Sequence, residues 1–132
     1  MSKVAADFWE RSLDSLRVAR RILSISPDSA APAAYYAAFY AVSAHFALGG
    51  RTFRKHTALQ AAVHRDLVKG EGWPAHLGSA YTLLNELRDV GHYGGTKHVT
   101  PEEAARAIDM AEEIVRTVAN EHPHDFAGLD DV

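Results

Sequence analysis

The sequence predicts an all-α fold: an up-and-down bundle of four main helices plus one short helix. Apolar residues recur at steps of three and four along each long segment. No stretch alternates with period two between turn signals. Breaks containing Gly or Pro divide the chain into five helical stretches.

Trp9, Leu13, Leu16, Ala19 (or Arg20) and Leu23 mark one face of the first helix. "SPDSAAP" (26–32) separates it from the second, with Pro27 as breaker and Asp28 or Ser29 as caps. From Ala30 to Leu48 the only polar side chains besides the tyrosines are Ser43 and His45. Such a run is long enough to span a bilayer. It is mostly alanine and tyrosine, however, with little of the Leu, Ile and Val that drives insertion. A helix apolar on nearly every side is instead buried on nearly every side. Amphipathic neighbours in so short a chain cover only part of it, so a homodimer is expected to cover the rest.

"GG" (49–50) ends the second helix, and "KGEGWP" (69–74) ends a short third. Leu77, Ala80, Leu84, Leu87 and Gly91 form the stripe of the fourth, and "GGTKHVT" (94–100) stops it. The fifth opens with "TPEE" (100–103): Thr100 as N-cap, Pro101 in the first helical position and Glu103 closing a capping box. Its stripe is Ala104, Ile108, Ala111, Val115 and Val118. After Asn120, "EHPHDFAGLDDV" is acidic and carries Pro and Gly. The expected organisation is a helical bundle over 1–120 and a flexible acidic tail over 121–132.

With 132 residues, 47% of them hydrophobic and 23% charged, the chain suits one globular domain. The absence of cysteine excludes disulfides and cysteine-ligated metal. The first residues lack the apolar core of a signal peptide, so a cytoplasmic location is expected. The net charge of −3 argues against a nonspecific nucleic-acid coat. It is nevertheless uneven: residues 1–70 hold ten Lys/Arg against five Asp/Glu (+5), and residues 71–132 hold four against twelve (−8). Within the basic half, "RTFRKH" offers Arg51, Arg54, Lys55 and His56 as an anion- or RNA-attracting surface.

"RDVGHYGG" (88–95) carries the sharpest chemistry. Arg88 and His92 are four apart, hence on one face of the fourth helix near its C-terminus. They can simply complement the negative end of the helix dipole, with Arg88 paired to Glu86 or Asp89. Alternatively, Arg88 supplies a donor fork for phosphate and His92 a proton carrier, together able to cleave RNA without metal. His56 is read either as a helix start in contact with the buried tyrosines or as a ligand-binding group. Tyr35, Tyr36 and Tyr40 read as core or interface residues, and His64 as a packing or surface histidine.

No cofactor is expected. No metal centre is expected either: there is no HExxH and no paired Glu-x-x-His. Asp89 with His92, or His122 with His124, makes at most part of a site. There is also no phosphate loop and no nucleophile-elbow motif.

"DFWERSLDSLRVARRIL" (7–23), "AAYYAAFYAVSAHFAL" (33–48), "KHTALQAAVHRDLVKGEGW" (55–73) and "LNELRDVGHYG" (84–94) occur in an order that resembles HEPN-domain proteins. The resemblance covers residues 7 to about 118 and is greatest to small single-domain prokaryotic HEPN proteins. It implies a dimer in which an arginine and a histidine of each protomer meet at a cleft and cut RNA without metal. It also implies pairing with a minimal nucleotidyltransferase antitoxin, which in some pairs adds AMP to a tyrosine after the histidine. Those residues are here Arg88, His92 and Tyr93. The Arg-to-His interval is shorter than in the family's usual ribonuclease motif. It is similar to a subgroup with Arg-x-x-Ala-Asp-Tyr, in which an acidic residue stands where His92 does. Three functions follow: a toxin-like RNA binder and ribonuclease, a non-catalytic nucleotide- or partner-binding module, and a structural helical dimer.

Overall fold

The computed structural model describes residues 2–132. Helices α1 (Lys3–Ile22), α2 (Pro27–Leu48), α4 (Ala75–Tyr93) and α5 (Pro101–Glu121) are the long elements, and α3 (His56–Ala62) is the short one. Helix α3 runs directly into a π-helical segment, Val63–Gly70, and a 3₁₀ turn, Leu129–Asp131, lies at the C-terminus. Among the described residues there is no strand.

Helix α2 is the axis of the bundle, packed against α1, α4 and α5. Gly91 of α4 backs onto the Asp28 carbonyl at the start of α2, so those two helices are antiparallel. Helix α5 begins beside the same turn, where Asp28 Oδ1 accepts from the Val99 amide at 2.7 Å. It ends where α2 ends, with His45 against His122. The order is therefore up, down, up, down. The core holds Trp9, Leu13 and Leu16 from α1, Leu77, Leu84 and Leu87 from α4, and Ile108, Ile114, Val115 and Val118 from α5. All three helical stripes read from the sequence face inward.

Three departures have physical causes. Helix α2 begins at Pro27, ahead of the expected caps Asp28 and Ser29, and Ser26 is its cap, accepting from the Ser29 amide. Pro27 sits in the first turn, where its missing N–H is unneeded. Pro32 lies inside the helix and leaves the Asp28 carbonyl without its usual i+4 donor. Asp28, expected as a cap, instead braces the loop before α5, with His98 Nδ1 2.6 Å from its Oδ2.

The second departure is the degree to which one chain covers α2. Ala30, Ala31, Ala34, Ala37, Ala38, Ala41 and Ala44 are all fully buried within the protomer. Through the middle of the helix, a strip containing Ala33, Tyr36, Phe39 and Tyr40 remains half-buried, the small alanine faces letting three helices approach closely. The third is the C-terminus: residues 122–132 dock and are not a loose tail. Phe126 is buried and stacks on Trp9 with centroids 4.9 Å apart. The Trp9 indole donates to the Ala127 carbonyl at 2.8 Å, Leu129 is buried, and Arg20 donates to the Val132 carbonyl at 2.9 Å. Two apolar side chains and these polar ties outweigh the acidic composition. Gly128, with φ of 94°, makes the turn that returns Leu129 to the core.

Candidate nucleic-acid site at the end of helix α4

The site is built on the last turns of α4 where they cross the first half of α2. That crossing is close because residue 91 is glycine: an added Cβ would meet the Asp28 carbonyl and lie 2.9 Å from Pro32 Cδ. Arg88, one turn earlier, is consequently laid across the tyrosines of α2. Its guanidinium carbon is 5.1 Å from the centre of the Tyr35 ring, within cation–π range. Its Nη1 donates to the Tyr36 hydroxyl at 3.3 Å, and its Nη2 to Asp89 Oδ1 at 3.0 Å. Asp89, not Glu86, is thus the carboxylate partner. Burial works to discharge Arg88, but the Tyr36 hydrogen bond and the Asp89 charge outweigh it, so its pKa is raised. The group is fully cationic in a largely covered position, its side chain 17% exposed.

His56 joins this cluster from the start of α3. Its Nδ1 is 2.8 Å from the Tyr35 hydroxyl, and its ring stacks on Phe39 at 4.6 Å. Burial first, and the neighbouring Arg88 charge second, lower its pKa. His56 therefore contacts the tyrosines, one of its two sequence readings. The rest of the basic run divides. Arg51 pairs with Asp66 at 2.9 Å and covers the Phe46 ring at 4.9 Å, so much of its charge is answered within the protein. Asp66, held by Arg65 and Arg51, has its pKa lowered to about 2. Arg54 and Lys55 are exposed.

His92 and Tyr93 lie beyond the cluster on the exposed helix end, their rings edge-to-face at 5.6 Å. Tyr93 is 75% exposed. On the same helix, Asn85 Oδ1 and Arg88 Nε are buried without a hydrogen-bond partner among the described residues, and the buried Tyr81 hydroxyl lies beside that of Tyr35. Tyr81, Asn85 and Arg88 fall at i, i+4 and i+7, on one face of α4. Sequence reasoning read Tyr36 as a core or interface residue and missed it as the hydroxyl that holds Arg88. The only sequence signal for that contact is its position in an aromatic run on α2.

The chain is thus a four-helix bundle with an arginine-centred polar cluster near one helix end and an exposed histidine one turn further on. The model of the HEPN domain matches residues 5–122. A UPF0332 protein of Thermotoga maritima is 37% identical over 90 residues, which is 67% of this chain and 68% of that protein. The chain belongs to the HEPN domain family.

Proposed function

We propose that this HEPN protein is toxin-like: it binds RNA and cleaves it without metal, using Arg88 and His92 of two protomers at a dimer cleft. The observation that carries the reading is Arg88 itself. It is charged, held by Tyr36 and Asp89 with its side chain 17% exposed, while exposed His92 follows one turn later on the same face. A preorganised guanidinium is suited to phosphate. In the proposed reaction, one His92 accepts the proton of a ribose 2′-hydroxyl and that oxygen bonds to phosphorus. The bond from phosphorus to the 5′-oxygen breaks, and that oxygen takes a proton from the second His92. The products are a 2′,3′-cyclic phosphate and a 5′-hydroxyl, and Arg88 balances charge on the phosphoryl oxygens throughout.

The dimer that this reading requires is supported by the strip of α2 that the protomer leaves half-covered. A groove of about 300 Å³ runs between α1 and α2, lined by Val18, Ala33, Tyr36 and Tyr40 among others. Tyr36 is shared with the Arg88 cluster, so a partner seated in the groove would adjoin the site. No described helix is long and apolar enough to cross a membrane, and the reading sets the protein in the cytoplasm.

The test is RNA cleavage in EDTA by purified wild type, Arg88→Ala and His92→Ala, with melting curves alongside. Wild-type cleavage should fall on the order of a hundredfold in His92→Ala while the fold persists. A folded, dimeric wild type that neither cleaves nor binds RNA overturns the proposal.

The exposure of Tyr93 favours a second reading, a module that pairs with a minimal nucleotidyltransferase and receives AMP there. Intact-mass spectrometry after co-expression with that partner should show added AMP that is lost in Tyr93→Phe. An unmodified chain in the presence of its demonstrated partner removes this reading.

A further inference from the structure

Three segments distant in sequence meet where α2 and α5 both end. His45 comes from the last turn of α2, Glu121 and His122 from the end of α5, and Glu71 with Trp73 from the loop after the π-helical segment. His45 Nδ1 faces His122 Nε2 at 2.8 Å, and Glu121 Oε2 lies 3.8 Å from the same Nδ1. One ligand atom from each of His45, Glu121 and His122 falls within 4.8 Å of the others. The His45 side chain is only 10% exposed, while Glu121 opens the cluster to solvent.

We propose that His45, Glu121 and His122 form a binding site for one divalent transition-metal ion of the zinc type. Two imidazole nitrogens and a carboxylate oxygen are a donor set suited to such an ion. Bonds of about 2.0–2.2 Å at tetrahedral angles separate the ligand atoms by about 3.3 Å. The two nitrogens therefore part by about half an ångström and Glu121 Oε2 closes by a similar amount. Small side-chain rotations supply both.

The surroundings resemble the outer partners that orient metal ligands. Glu71 Oε2 lies 3.2 Å from His45 Nε2, which fixes the proton on that nitrogen and leaves Nδ1 its lone pair. The Trp73 indole donates to Glu121 Oε1 at 2.5 Å, leaving Oε2 turned to the histidines. A fourth position on the solvent side remains for water. The ion would clasp the ends of α2 and α5 to the loop that holds Trp73. His45 is nine residues, or about 14 Å, along α2 from Tyr36, so this site is separate from the Arg88 cluster and independent of the proposed function.

The untagged chain, stripped with EDTA and dialysed, is titrated with Zn²⁺ by calorimetry and with Co²⁺ by visible absorption. Binding of one ion per chain is expected, with the strong Co²⁺ bands of four-coordinate geometry. Tryptophan emission should change on binding, and that change should be lost in Trp73→Phe. His122→Asn and Glu121→Gln should each abolish stoichiometric binding, and Glu71→Gln should weaken it about tenfold. The exposed neighbour His124→Asn should bind as wild type does. Circular dichroism establishes that each variant is folded, and Glu121→Gln keeps an acceptor for Trp73. If folded wild type binds neither ion, the cluster is a hydrogen-bonded latch alone and the proposal fails. It fails equally if binding survives both ligand substitutions or disappears in His124→Asn.

Discussion

His56 shows how one side chain reports on the whole cluster around Arg88. It faces the Tyr35 and Tyr36 rings from α2 and the Arg88 cation from α4, so protonating it places a second positive charge in a half-covered space. Its pKa is lowered from the ordinary 6.5, chiefly by burial and then by Arg88. A histidine depressed in the folded state contributes stability that is complete above its unfolded pKa and is lost as pH falls through its folded pKa. The melting temperature should therefore drop between about pH 7.5 and pH 5.5, and His56→Gln should flatten part of that slope. His122, whose pKa is lowered by burial and then by His45, supplies the same sign of dependence and remains in that variant. Gly91 makes the complementary point about space. Gly91→Ala drives a methyl into the Asp28 carbonyl and Pro32, and should cost about 1–3 kcal/mol despite the better helix propensity of alanine. Equilibrium urea unfolding measures it; a stabilised variant would mean that α4 stands further from α2.

At the scale of the element, the start of α5 proved the most legible feature. The capping box of α5 forms as read: the Glu103 amide donates to Thr100 Oγ1 at 3.0 Å, and the Thr100 amide donates to Glu103 Oε1 at 3.0 Å. Thr100→Ala should cost about 1 kcal/mol, measured by thermal or chemical unfolding. The start of α2 was less legible, since Ser, Pro and Asp in close succession offer several competing caps. Ser26 wins because Pro27 is preformed for the first turn and Asp28 is drawn away to His98 and Val99. The π-helical segment carries no sequence mark. Its wide turns put Val63 and Leu67 in the core while Asp66 meets Arg51, a compromise between two neighbours that periodicity alone does not contain.

Across the whole molecule, the C-terminal residues belong to the fold. Phe126→Ala should cost about 3–5 kcal/mol, as large-to-small changes in a packed core do. Truncation before Glu121 should cost at least as much, and a truncated chain melting at the wild-type temperature would contradict the docking of Phe126 and Leu129. Association is the companion question. Since one protomer already covers most of α2, the groove at Val18, Ala33, Tyr36 and Tyr40 is the face on which a second copy is proposed to sit. Light scattering at micromolar concentration should give a dimer, and Tyr40→Glu should shift it towards monomer; a strictly monomeric wild type removes the two-chain cleft.

The helices, their order, their inward stripes and the family resemblance were all readable along the chain. So was the placing of Arg88, His92 and Tyr93 at one helix end. Each depends on residues within a turn or two of one another: apolar spacing, a cap, a proline, a pair of glycines. Tertiary structure alone decided that Tyr36 holds Arg88, that His56 joins that cluster and that Arg51 turns to Asp66 instead. It alone brought His45 against His122, 77 residues away, and laid Phe126 on Trp9. Such contacts depend on the rotation of each helix about its axis and the angle at which neighbours cross. Those quantities are set by how alanines and glycines pack between helices, and no local pattern encodes them.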